Sequence, residues 1–160
     1  LRPSGGSNAA AYFLVSGLVV FMNPYFQALL NRLLDQYNEH WPIFLEKDIP
    51  FTAAASERVD VVLDTVDYDV ILVGASVNFS NSNVLCRISD TAKQYFFNQN
   101  FMPITSLAGV SSQVSPVLPL PAPYKLDRQS RVQIEFQNSA SSPSAATSKI
   151  VLHGIRVRNV

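Results

Sequence analysis

The amino-acid sequence predicts a mainly β protein, an antiparallel β-sandwich of jelly-roll-like type preceded by an N-terminal arm and one short helix. Three observations carry that expectation: short apolar runs alternating with polar residues after residue 50, turn chemistry between those runs, and one stretch of helical periodicity ahead of them. At 160 residues the chain has the size of one domain, and at about this length a fold buries roughly 70% of its unfolded surface.

Residues 1–11 are small and contain nothing that anchors a core, so they read as an arm. Tyr12 to Met22 follows as an apolar run of 11 residues, too short for a membrane span of about 20, and without the flanks of a secretory signal. No membrane partner is expected. Asn23 can cap a helix with Pro24 at its first position, and Phe26, Leu29, Leu30, Leu33, Leu34 and Tyr37 recur at helical spacing. The spacing predicts a helix from Pro24 to Tyr37. Residues 1–50 are therefore read as arm and helix, an assembly element, and 51–160 as the sandwich domain.

Strand patterns begin after Pro50. Val59, Val61 and Leu63 alternate with Asp60, Val62 and Asp64; Val70 to Phe79 is a β-branched run broken by Gly74; Val84 to Ile88 is a third segment. Asn78 to Asn83 supplies turn residues between the last two. Tyr95 to Ile104 has room for another strand. Prolines 116, 119, 121 and 123 cannot sit in a central strand, so Ser106 to Pro123 reads as a crossover or a sheet edge. Val132, Ile134 and Phe136 alternate with Arg131, Gln133, Glu135 and Gln137, and Ser139 to Ser148 is a loop. Ile150 and Leu152 share a face that Ile155 and Val157 join only if His153-Gly154 is a bulge.

Composition excludes several functions. Charged residues are 15% of the chain against 48% hydrophobic, below the roughly 25% charge of an ordinary soluble domain, so partners are expected to cover apolar surface. The net charge is zero, which disfavours a nucleic-acid partner. Acidic residues 57–69 and basic residues 125–158 suit either pairing of neighbouring strands or complementary patches on adjacent subunits.

No phosphate loop, nucleophile elbow or paired-histidine motif occurs, so the chain is expected to be no enzyme and to need no cofactor or metal. Cys86 reads as a packed, inert thiol, His40 as a helix-end ligand for carbonyls, and His153 as a strand residue. Asp60, Asp64, Asp67 and Asp69 lack the spacing of a calcium loop. Tyr37, Trp41 and Phe44 suit a hydrophobic contact better than a sugar-stacking platform.

The stretch from Pro123-Tyr124-Lys125-Leu126 through Ser130 to Ser139, with its loop and then Ile150-Val151-Leu152-His153-Gly154-Ile155-Arg156-Val157, resembles β-sandwich domains of tailed-bacteriophage minor virion proteins. The resemblance is one of layout and covers residues 50–160. It implies a structural component of the virion, at head, neck or tail, whose partners are other virion proteins and copies of itself. The candidate assembly contacts are Tyr12, Phe13, Leu14, Val15, Leu18, Val19 and Phe21 of the apolar run and Leu30 and Leu33 of the helix. A carbohydrate- or receptor-binding module is the alternative on the same scaffold, because sandwiches host many functions.

Overall fold

The computed structural model describes residues 23–51, 58–64, 67–78, 84–107, 109–110, 117–138 and 146–159. Helix α1 (Pro24–Leu34) comes first. It is followed by β1 (Glu39–Phe51), β2 (Arg58–Asp64), β3 (Asp69–Asn78), β4 (Val84–Asp90), β5 (Tyr95–Phe96) and β6 (Met102–Pro103). A 3-10 turn (Ile104–Ser106) leads to β7 (Gly109–Val110), β8 (Leu118–Leu126), β9 (Arg131–Asn138) and β10 (Ala146–Arg158).

The strands form two sheets. The first runs β1-β10-β3, with β8 and β7 sharing the far edge of β3; the second runs β2-β9-β4, with β5 and β6 sharing the far edge of β4. All pairings are antiparallel except the short one between β3 and β7. With β5 and β6 taken as pieces of one interrupted strand, the orders β1-β10-β3-β8 and β2-β9-β4-β5/β6 are those of a jelly roll. The mainly β sandwich with a single helix is thus as the sequence patterns indicate.

Between the sheets lies one core. Val70, Leu72, Ala75 and Val77 of β3 and Ile150 and Leu152 of β10 meet Val84, Cys86 and Ile88 of β4 and Val132, Ile134 and Phe136 of β9. Strict alternation on β9 produces this face, with Gln133, Glu135 and Gln137 directed away from it.

A second cluster occupies the other side of the first sheet, where Phe26, Leu30 and Leu34 pack on Ile71, Ile155 and Val157. Here the expected shared face of Ile150, Leu152, Ile155 and Val157 is corrected. The register does shift between His153 and Gly154, but the extra residue is Val73 on β3, and β10 keeps its alternation. Ile155 and Val157 therefore face the helix. Gly154 and Gly74 sit at this irregularity because the chains approach too closely for a side chain: a Cβ on Gly74 would lie 2.7 Å from the Leu118 carbonyl oxygen.

The helix begins as its sequence dictates, with Asn23 Oδ1 accepting from the Tyr25 N–H at 2.8 Å and Pro24 in the first turn. It ends at Leu34 rather than Tyr37. The chain tightens there, with Gln36 and Tyr37 N–H groups donating three residues back to Leu33 and Leu34. His40 Nε2 lies 3.1 Å from the carbonyl oxygens of both Leu34 and Tyr37, so that nitrogen carries the proton and closes the helix end.

The domain boundary drawn at residue 50 falls inside the first sheet's edge, since β1 pairs with β10 from Glu39 to Phe51. Pro42 and Pro50 obscured this strand. They are eight residues apart, so both nitrogens point to the same side, and an edge strand accommodates them on its free side. β8, which carries Pro119, Pro121 and Pro123, is likewise an edge strand pairing with β3, as its prolines require.

The stretch from Tyr95 to Ile104 does not make one strand. β5 pairs with Ser89 and Asp90, and β6 with Leu85 and Cys86. The gap is filled by a buried amide: Asn98 Oδ1 accepts from the Ile88 N–H at 2.9 Å and Asn98 Nδ2 donates to the Cys86 carbonyl at 2.9 Å. A side chain here takes the place of a strand's peptide group.

Two stability outcomes follow from this packing. Leu30, 5% exposed, lies on the helix-covered face, so Leu30→Asp should lower stability by about 3 kcal/mol or more in urea unfolding, because a carboxylate is buried unpaired. Asn98→Ala orphans a buried N–H and a carbonyl, and the same measurement should register a loss of about 1–3 kcal/mol.

Candidate functional site

The outer face of the second sheet is built by the polar half of each alternation. Arg87 and Ser89 on β4 lie beside Glu135 and Gln133 on β9, and β2 adds Asp60 beside Glu135 and Val62 beside Gln133. α1 packs on the other sheet, so among the described residues no helix covers this face.

Charge on the face is neutralised locally. Arg87 Nε donates to Glu135 Oε2 at 2.7 Å, and a second guanidinium nitrogen also contacts that oxygen. The same guanidinium sits 5.1 Å from the ring centre of Phe96 and 5.2 Å from that of Phe101, a cation-π arrangement that holds both rings at the sheet's edge.

At the end of β4, Asp90 is wholly buried. Its Oδ1 accepts from the N–H groups of Ala92 and Lys93 at 2.9 and 3.3 Å, and its Oδ2 accepts from the Tyr124 hydroxyl at 3.0 Å. These bonds fix the turn after β4, which closes with Gln94 at φ 52°, a left-handed conformation that bulky residues seldom adopt. A cleft of about 320 Å3 results, lined by Ser89, Thr91, Gln94, Phe96, Gln133 and Glu135.

Beside the turn, Tyr95 stacks on Tyr124 with ring centres 5.0 Å apart, and Phe97 meets Tyr124 edge-on at 4.6 Å. Burial, and then the Asp90 carboxylate, push the Tyr124 hydroxyl well above the usual phenol range, so it remains a donor.

An ion-pair chain joins this turn to the helix end. Lys93 reaches Asp127 at 3.0 Å, Lys125 reaches Asp127 at 3.2 Å and Asp69 at 3.3 Å, and the Tyr37 hydroxyl donates to Asp69 at 3.0 Å. Burial works to raise the Asp69 pKa, but hydrogen bonds from the Arg128 N–H and the Tyr37 hydroxyl, with the Lys125 charge, outweigh it and hold the carboxyl below its usual range.

The residues marked by sequence scatter over the fold. Leu30 is buried within its own chain and Leu33 is partly buried against the same cluster. Tyr12, Phe13, Leu14, Val15, Leu18, Val19 and Phe21 lie outside the described residues. Tyr37, Trp41 and Phe44 form no platform. Tyr37 packs against the helix cluster, Trp41 faces Arg156 and Arg158, and Phe44 meets His153 edge-on at 5.3 Å.

Cys86 lies in the core, where burial pushes its thiol up to about 12. Asp60 and Asp64 lie on β2, whereas Asp69 is engaged by Lys125 and Tyr37; among the described residues no three His, Cys, Asp or Glu side chains gather as a metal site. The Asp69–Lys125 pair joins neighbouring strands β3 and β8, so part of the uneven charge is matched within the sheets.

No protein-family model matches this chain, and no curated protein sequence matches it. The site therefore rests on its own geometry. The cleft was not singled out from the sequence, because residues 89–96 match no binding motif and the opposite wall, Gln133 and Glu135, is distant in the chain on β9. The one local signal was the polar half of β9, Gln133 and Glu135.

Ser76 Oγ lies 2.7 Å from His153 Nε2 on the outer side of the first sheet. Burial lowers the His153 pKa from its ordinary 6.5. The unfolded chain then binds a proton more readily than the folded one, so stability should fall as pH drops below about 6.5. His153→Gln should flatten that slope in melting temperatures recorded from pH 7.5 to about 5, a window above the titration of ordinary carboxylates.

Proposed function

We propose that this protein is a non-enzymatic structural component of a bacteriophage virion that works by protein-protein assembly, with copies of itself and other virion proteins as partners. The observation that carries the reading is the amount of large apolar side chain on the sandwich surface of a chain with only 15% charged residues. Trp41, Phe44 and Tyr95 on the strands and Tyr25 on α1 are all exposed. Such side chains on a sparsely charged surface are the material of interface cores.

The strand order supports the reading by analogy, since jelly rolls are frequent in capsid proteins, though the fold hosts other functions too. The edge of β1 favours an arm over strand addition. Pro42 and Pro50 leave only a short run of donors between them on the free side, so a neighbour gains little by extending the ladder there.

Residues 1–22 combine the small-residue arm with the apolar run from Tyr12 to Met22, which is too hydrophobic to stay in water and is the natural grip on a neighbour. Each large side chain it buries contributes about 1.5–3 kcal/mol. Deleting residues 1–22 is expected to leave a folded β-rich chain of reduced oligomeric mass in light scattering coupled to gel filtration. A chain that no longer melts cooperatively would place the run in its own subunit's core, and an unchanged oligomer would put the assembly contact elsewhere.

A further inference from the structure

The geometry points to the cleft beside Phe96 as a binding subsite for a neutral saccharide, one pyranose ring at a time. The site is independent of any assembly role.

Its size is at the lower end for small-molecule sites, about 320 Å3 against a usual range of roughly 300–1,000 Å3, which suits one ring of a glycan. The apolar wall is Phe96, 45% exposed, with Arg87 stacked against its ring. Arg87 takes one face of the ring, and the side of Phe96 turned to the cleft receives the C–H side of a sugar ring.

The polar wall consists of amides. Gln94 and Gln133 have no side-chain hydrogen bond among the described residues, although both line the cleft. Each amide offers two donors and an acceptor, the combination that neighbouring sugar hydroxyls satisfy. Gln94 holds φ at 52°, where glycine or asparagine fits with less strain. The long amide there serves the cleft, not the turn.

The charge pattern selects a neutral ligand. Glu135 is held by Arg87, and both oxygens of Asp90 accept hydrogen bonds from the turn and from Tyr124. A sugar carboxylate or phosphate would meet no unanswered cation in the cleft, whereas hydroxyls meet amides.

The test is a titration of the 15N-labelled full chain followed by NMR, with methyl α-glucoside, methyl β-galactoside and N-acetylglucosamine as probes and N-acetylneuraminic acid as the anionic control. At least one neutral sugar should give saturable shifts at the side-chain amides of Gln94 and Gln133, with a Kd on the order of 1 mM. Gln133→Ala and Gln94→Gly should each weaken it about tenfold or more. The glycine variant relieves backbone strain, so its melting temperature should not fall, which separates lost binding from lost folding. No saturation with any of the three neutral sugars, retained affinity in both variants, or tighter binding of the anion would overturn the assignment. None of those results bears on the oligomeric mass of the N-terminal deletion, so the assembly reading stands or falls separately.

Discussion

The rest of the structure depends on β3 and β10 being apolar on both faces where they cross the molecule's centre. Val70 and Leu72 point into the sandwich while Ile71 and Val73 point out, and Ile155 and Val157 join them on the outer side. A sheet of this kind cannot face water, so α1 must lie across it. The single extra residue at Val73 permits the arrangement, because it resets the alternation of β3 so that Ala75 and Val77 also reach the inner core. Gly154 and Gly74 belong to the same constraint: each removes a side chain where neighbouring backbone comes within contact distance. Helix, irregularity and glycines are one solution to one packing problem.

Edge management explains most of what remains. β1 and β8 carry prolines on strands that tolerate them only because each has a single neighbour over most of its length. The far edge of β4 is closed by three different devices in sequence: β6 at Leu85 and Cys86, the Asn98 amide from Cys86 to Ile88, and β5 at Ser89 and Asp90. That interruption lets Phe96 and Phe101 turn toward Arg87. An uninterrupted strand would place Phe96 and Phe101, an odd number of residues apart, on opposite faces of the sheet, and only one of them could then reach Arg87.

A strand is legible where its apolar residues lie on one face and recur with period two. β9 reads directly from Val132, Ile134 and Phe136 against Gln133, Glu135 and Gln137. The helix start was legible from Asn23-Pro24, and its end from His40, although the last turn tightened before Tyr37. β1 was hidden because Pro42 and Pro50 count against a strand unless its edge position is known, and edge position is a property of the whole sheet. The face of Ile155 and Val157 was misjudged for a similar reason: a second apolar face makes sense only once a helix is there to cover it. The cleft was the least legible feature, since its polar residues come from residues 89–94 and from β9, far apart in the chain, and each alone resembles an ordinary solvated surface.

The two outer faces of the sandwich divide the work. On the first sheet, α1 covers Ile71, Ile155 and Val157, and the chain of contacts from Tyr37 through Asp69, Lys125 and Asp127 to Lys93 ties the helix end to the turn after β4. That turn is in turn anchored by Asp90 and Tyr124, so the wall of the cleft is coupled mechanically to the helix packed on the opposite side of the molecule. Exposed ion pairs contribute little stability individually, and their effect here is geometric. They hold the Gln94 turn in one position against the second sheet. A chain with few charges places a row of them where its two layers are joined.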